Sequence, residues 1–91
     1  MNKEIIRFTA SWCGPCKVLG PQYEKMSSEY QGTEIHWTTV DIDTAPETAQ
    51  SFSIRSVPSV VFVNDGVVIN TVVGLQPQHI YEEAVRELEN A

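Results

Sequence analysis

Hydrophobic residues follow two different spacings in the first half of the chain, and the spacing separates strands from helices. Short apolar runs cover residues 4–10 and 34–41, as in strands. Between them, over residues 13–30, apolar positions such as Leu19, Tyr23 and Met26 recur every three or four residues, as on one face of a helix. Pro21 lies inside this segment and is expected to kink the helix. The first half is therefore predicted to be strand, helix, strand.

The second half predicts a short helix, a hairpin and a closing helix. TAPE, at residues 44–47, has the spacing of a capping box, and a short helix is expected from there to about Phe52. The β-branched runs SVVFV and VVINTVV flank an Asp65-Gly66 pair, which is a strong hairpin signal. Apolar residues at helical spacing over residues 80–88 mark the last helix.

The predicted element order is β-α-β-α-β-β-α, within one domain over residues 2–90. Helical crossovers join parallel strands, whereas a tight turn joins antiparallel ones. The fold class is therefore α/β, with a four-stranded mixed sheet flanked by helices.

Composition excludes several classes of function. The chain has 91 residues, 42 % of them hydrophobic, with six Lys plus Arg against twelve Asp plus Glu and a net charge of −6. This balance leaves no cationic stripe for nucleic acid. The first ten residues include Arg7 and no long apolar run, so neither a secretory signal nor a membrane span is expected. The expected compartment is the cytoplasm, where thiols are kept reduced.

FTASWCGPCK, at residues 8–17, holds the only two cysteines, Cys13 and Cys16. A disulfide between them would close a ring of only four residues, which is too short to stabilise the fold much by restricting the unfolded chain. They fall between the first strand and the first turn of the first helix, where residues three apart have Cβ atoms about 5–6 Å apart. The helix N-terminus favours a thiolate. Cys13 is the predicted nucleophile, and Cys16 is the predicted resolving thiol that attacks the mixed disulfide.

Two other interpretations of the cysteine pair remain open. Zinc needs four nitrogen or sulfur ligands, and only His36 and His79 are left to complete a site, at uninformative spacing. The pair is also compatible with a vestigial motif on a redox-inactive binding module.

WCGPCK resembles the active-site motif of the thioredoxins, and the resemblance runs through residues 4–88. IRSVPSV resembles the family's loop carrying a cis-proline opposite the redox pair, which implies that Pro58 is cis. Pro21 matches the family's kink proline, and Gly66 fits the hairpin. The resemblance implies substrate contacts at Trp12, Gly14, Pro15, Val57, Pro58 and Gly74.

The chain departs from the family pattern at its first strand and beside the cysteines. Thioredoxins carry an extra strand and helix before the strand that leads to the cysteines, so the strand over residues 34–41 is expected to become a sheet edge. Arg7 stands where thioredoxins usually have a buried, proton-relaying aspartate, and Thr39 where a lysine is frequent. We expect Asp41 to pair with Arg7, and Lys17 to favour the thiolate.

The resemblance implies a disulfide oxidoreductase that reduces other proteins and is recharged by an NADPH-linked thioredoxin reductase. In thioredoxins, a Gly-Pro dipeptide between the cysteines accompanies a reducing potential of around −270 mV. Arg7 is expected to raise that potential by favouring a Cys16 thiolate. The expected protein is a monomer without a bound cofactor beyond its redox-active disulfide. A glutaredoxin-like reductase coupled to glutathione and a redox-inactive docking subunit are the alternatives.

Overall fold

The computed structural model describes residues 2–30 and 32–91. Four strands and three helices follow in the predicted order. They are β1 (Lys3–Thr9), α1 (Gly14–Glu29), β2 (Ile35–Asp41), α2 (Pro46–Ser51), β3 (Ser59–Asn64), β4 (Val67–Val73) and α3 (Gln78–Glu89). No helix in the described part of the chain is both long and apolar enough to cross a membrane.

The four strands form one mixed sheet in the order β2-β1-β3-β4. β1 pairs with β2 in parallel and with β3 antiparallel, and β3 pairs antiparallel with β4. These pairings confirm the predicted sheet. They also bring the carboxyl ends of β1, β2 and β4 and the amino end of β3 to the same edge of the sheet. Loops that are far apart in sequence therefore meet at that edge.

Apolar side chains cover both faces of the sheet. One core cluster packs α1 and α3 against the sheet around Leu19, Tyr81 and Leu88. A second cluster packs α2 against the opposite face around Phe8 and Ala49. All residues of β3 except the last are buried, because this strand lies inside the sheet with cover on both faces. Its unbroken apolar run follows from that position.

The hairpin between β3 and β4 has the two-residue turn that Asp-Gly predicts. Asp65 has φ +50° and Gly66 φ +82°. Two consecutive left-handed residues match the twist of the flanking strands. A register shift at Phe62/Val63 marks an irregularity in the ladder beyond the turn.

The predicted capping box at residues 44–47 is wrong. α2 begins at Pro46, so Ala45 is the cap residue and makes no side-chain hydrogen bond. Proline is favoured at the first helical position, which shifts the helix start past Thr44. The Thr44 hydroxyl instead donates to the carbonyl oxygen of Asp41 at 3.3 Å.

β2 is an edge strand, as expected, because among the described residues it pairs only with β1. His36 on this strand is exposed, while Trp37 packs against Tyr23 and Tyr30 with ring centroids 5.4 and 5.9 Å away. Trp37 therefore has a packing role on β2. The helix α1 continues through Pro21.

Candidate active site

Cys13 and Cys16 form a disulfide where β1 gives way to α1. The backbone leaves β1 at Thr9 and turns, with the Cys13 N–H donating to the carbonyl oxygen of Ala10 at 3.2 Å. Cys13 is the N-cap of α1 and Cys16 lies within the first turn. Their Cα atoms are 5.3 Å apart, within the range that a disulfide spans.

The backbone of α1 stabilises negative charge on Cys13. The Cys13 Sγ accepts a hydrogen bond from the Cys16 N–H at 3.2 Å, as a cap side chain does. After reduction, the same N–H and the positive end of the helix favour a thiolate on this sulfur. The cysteines are 4 % and 2 % exposed, so exposure separates their roles little. The cap position is what distinguishes Cys13 as the predicted nucleophile.

The loop before β3 forms the opposite wall of the site. The Val57–Pro58 peptide bond is cis, as the sequence resemblance implies. The Cys13 Sγ lies 3.7 Å from the carbonyl oxygen of Val57. Within residues 2–30 and 32–91, no backbone carbonyl accepts a hydrogen bond from the Val57 N–H. That N–H is therefore free to pair with the backbone of a bound peptide.

Gly74 joins this wall from the end of β4. Its N–H donates to the carbonyl oxygen of Pro58 at 2.8 Å, and its φ of +80° is one that glycine tolerates best. The structure thus brings the Val57–Pro58 loop and Gly74 together beside the disulfide, although the two loops are far apart in sequence.

Tyr81 holds the Gly74 loop in place, and the sequence analysis missed this role. Its ring is fully buried on α3. Its hydroxyl donates to the carbonyl oxygen of Gly74 at 2.9 Å and accepts from the Gln76 N–H at 3.1 Å. Burial raises the pKa of Tyr81, so the hydroxyl stays a neutral donor. The available signal was a tyrosine, with its polar tip, beside the apolar positions predicted for the last helix.

Trp12 lies on the exposed rim of the site and is tied to a second residue that the sequence analysis missed. The residue is 67 % exposed, and its indole Nε1–H donates to the Asp43 carboxylate at 2.9 Å. Asp43 comes just after β2, whose carboxyl end lies at the site edge of the sheet. The neighbouring Gly14 and Pro15 are also exposed, where a docked protein can reach them.

Arg7 lies under α1, half-buried, and does not pair with Asp41. Its Nε–H donates to the Thr39 hydroxyl at 3.4 Å, and its guanidinium lies 5.2 Å from the Tyr23 ring centroid. The expected Arg7–Asp41 ion pair is therefore wrong. The strand register places Arg7 directly opposite Thr39, two residues before Asp41, and the Asp41 carboxylate accepts the Asp43 N–H at 2.8 Å instead.

A surface cavity of about 270 Å³ connects Arg7 with Cys16. It is lined by Arg7, Thr9, Ala10, Ser11, Cys16, Lys17, Gly20 and Asp41. Thr39 holds Arg7 but does not line the cavity. The Tyr23 ring lies beside Arg7, and burial raises the pKa of that phenol, an effect that the Arg7 charge opposes. Tyr23 therefore remains neutral and donates to the carbonyl oxygen of Thr38 at 2.8 Å.

Metal binding has no structural support in the described residues. No group of three or more His, Cys, Asp or Glu side chains in that part of the chain is placed to hold a metal ion. His36 and His79, the candidate zinc partners, are both exposed. The chemistry that the site offers is exchange between the two sulfurs.

A disulfide closed within the first helical turn, against a cis-proline on a mixed sheet, is the arrangement of a thiol-disulfide oxidoreductase with the thioredoxin-like fold. The thioredoxin family model matches residues 1–87. The chain belongs to the thioredoxin family.

Individual relatives agree with this assignment. The chain is 42 % identical over 76 residues to thioredoxin from Malassezia sympodialis, covering 84 % of this chain and 72 % of that protein. It is 36 % identical over 87 residues to thioredoxin from Mycoplasmoides gallisepticum, covering 93 % and 83 %. The oxidised form of mitochondrial thioredoxin 3 from Saccharomyces cerevisiae superposes with a TM-score of 0.85 at 28 % identity, covering 94 % of this chain and 78 % of that one.

Proposed function

We propose that this thiol-disulfide oxidoreductase works as an electron carrier that reduces disulfides of other proteins. The observation that carries the proposal is the Cys13 sulfur, which caps α1 and accepts the Cys16 N–H at 3.2 Å. Such a position favours the thiolate over the thiol, and the thiolate is the nucleophilic form. The Gly-Pro dipeptide between the cysteines, which in thioredoxins goes with reducing behaviour, supports this direction of electron flow.

The proposed reaction has two exchange steps. The Cys13 thiolate attacks one sulfur of the substrate disulfide, forming a mixed disulfide and releasing the other substrate sulfur as a thiolate. The Cys16 thiolate then attacks the Cys13 Sγ, the Cys13–Cys16 disulfide forms, and the second substrate sulfur leaves with its electron pair. The substrate gains two electrons and this protein loses two.

We propose a flavoprotein thioredoxin reductase as the partner that restores the dithiol with electrons from NADPH. The names of the relatives support a thioredoxin-type cycle for this chain. The exposed rim formed by Trp12, Gly14 and Pro15, with the unpaired N–H of Val57, offers both partners the same docking face. The cytoplasm, where reductases keep thiols reduced, is the proposed compartment.

The decisive experiment follows NADPH consumption with insulin as the disulfide substrate. Thioredoxin reductase with this protein should support turnover, whereas the double variant Cys13→Ser, Cys16→Ser should not. Turnover only with glutathione and glutathione reductase would replace the proposal with a glutaredoxin-type cycle. No turnover in either system, with retained binding to a partner enzyme, would indicate a docking subunit.

Single cysteine variants test the order of the two steps. Cys13→Ser should abolish insulin reduction because the capping nucleophile is gone. Cys16→Ser should accumulate a mixed disulfide with insulin, visible by mass under non-reducing conditions, because no thiol remains to resolve it. If Cys13→Ser accumulates the adduct and Cys16→Ser does not, the two roles are reversed.

A further inference from the structure

Gly20 leaves the space that the Arg7 guanidinium occupies. Glycine in a helix interior disfavours the helix relative to alanine, so its presence within α1 calls for a reason. A Cβ added at Gly20 would lie 3.0 Å from Nη1 of Arg7, tighter than ordinary contact. The guanidinium is therefore accommodated under α1 where that Cβ is missing, with the Tyr23 ring beside it.

This position brings a fixed positive charge close to the resolving cysteine. Gly20 follows Cys16 by one helical turn, and side chains four residues apart on a helix have Cβ positions about 6 Å apart. Given the 3.0 Å contact at Gly20, Nη1 of Arg7 lies within about 9 Å of the Cys16 Cβ. Arg7 and Cys16 also line the same cavity.

The other groups around the cavity do not cancel this charge. Lys17 on α1 adds a second, exposed cation, and Asp41 on β2 supplies the one carboxylate in the lining. Within the described ranges no carboxylate lies within ion-pair distance of Arg7, whose hydrogen-bond partner is the neutral Thr39 hydroxyl. Tyr23 beside it is also neutral, because burial raises its pKa.

We propose that Arg7, seated by Gly20, is a positioning residue that favours the thiolate form of Cys16, so that resolution of the mixed disulfide needs no proton-accepting carboxylate. The proposal rests on disulfide exchange at the Cys13–Cys16 pair. In the step concerned, the Cys16 thiolate gives an electron pair to the Cys13 Sγ, the bond from Cys13 to the substrate sulfur breaks, and the departing substrate thiolate takes its proton from water. Arg7 supplies charge and gives up no proton.

Alkylation of Cys16 measures this effect without any reductase or substrate protein, so its outcome is independent of the insulin assay. In a Cys13→Ser background Cys16 is the only thiol, and its rate of reaction with uncharged iodoacetamide is followed from pH 5 to 10. At about 9 Å and an effective dielectric constant of about 20, one charge moves a neighbouring titration by about one pH unit. Arg7→Gln should therefore raise the midpoint of Cys16 alkylation by about one unit.

Matched variants make the result specific. Arg7→Lys should leave the Cys16 alkylation midpoint close to the wild-type value. Arg86→Gln removes the same charge at an exposed site on α3 and should leave the midpoint unchanged. Arg7→Met fills the same space with an apolar stem and serves as the second neutral variant if Arg7→Gln does not fold. The proposal would be overturned if both neutral Arg7 variants had the same alkylation midpoint as Arg86→Gln while Asp41→Asn shifted that midpoint instead.

The redox potential of the two-cysteine protein gives a second readout. Arg7 stabilises only the thiolate, so wild-type and Arg7→Gln potentials should coincide at low pH and separate above the alkylation midpoint. A tenfold difference in the equilibrium with glutathione corresponds to about 30 mV for this two-electron couple, with the Arg7→Gln protein more reducing. Curves that stay parallel across the whole pH range would show that Arg7 has only a structural role.

Discussion

Replacing Tyr81 with phenylalanine tests whether α3 positions the Gly74 loop beside the disulfide. The substitution removes one hydroxyl and leaves the buried ring in place. It leaves the carbonyl oxygen of Gly74 and the N–H of Gln76 without their present partner, at 2.9 and 3.1 Å respectively. Both groups are partly buried, so water replaces the lost contacts only in part.

The size of the effect follows from those two orphaned groups. A buried polar group that loses its partner costs about 1–3 kcal/mol, and partial access to water places this case in the lower half of that range. We expect Tyr81→Phe to lower the free energy of unfolding by about 1–2 kcal/mol. For a domain of this size, each kcal/mol lowers Tm by about 4–8 °C.

Urea denaturation and a thermal melt of the oxidised protein measure this loss directly. Tyr30→Phe is the matched control, because the Tyr30 hydroxyl makes none of the hydrogen bonds found in residues 2–30 and 32–91. The insulin assay, run well below Tm, should show a raised KM for Tyr81→Phe because the wall at Gly74 is loosened. A stability loss no larger than that of Tyr30→Phe, with unchanged KM, would refute the anchoring role.

Two further predictions concern Arg7 and Tyr23. Gly20→Ala should stabilise an Arg7→Gln protein by about 1 kcal/mol through helix propensity. It should stabilise the wild type by less, because there the new Cβ displaces the guanidinium. Equal effects in urea denaturation would show that the two residues do not interact. Burial raises the pKa of Tyr23 above its ordinary value of 10.0, so the folded protein keeps a phenolic proton that the unfolded chain loses. Stability should therefore fall as pH rises above about 10, by up to about 1.4 kcal/mol per pH unit, and less steeply in Tyr23→Phe; an unchanged slope would contradict this account.

The strands and helices were predictable because local chemistry and tertiary packing favour the same structure in each of them. The Asp65-Gly66 turn requires two left-handed residues, and these residue types supply them. The continuous apolar run of β3 fits a strand buried on both faces. Capping of α2 was predicted wrongly because Pro46 shifts the helix start by one residue, which a motif match does not reveal.

Contacts between distant side chains were the part that sequence reasoning could not predict. Strand position places Arg7 and Asp41 on one face, yet the parallel register sets Arg7 against Thr39 instead. The Trp12–Asp43 and Tyr81–Gly74 hydrogen bonds join elements that only the closed fold brings together. The sequence does not explain a glycine at position 20, because its role depends on the Arg7 guanidinium that packs beneath it.

The disulfide closes a ring of only four residues, with a sequence separation of 3. So short a ring removes little freedom from the unfolded chain. Folding and oxidation form a thermodynamic cycle, in which the unfolding free energies of oxidised and reduced protein differ by the redox preference that the fold imposes on the pair. That difference therefore reports the surroundings of the two sulfurs, above all the Cys16 N–H and the cavity charges, with little contribution from chain entropy. Two denaturation curves, one for each oxidation state, are thus equivalent to an electrochemical measurement of the site.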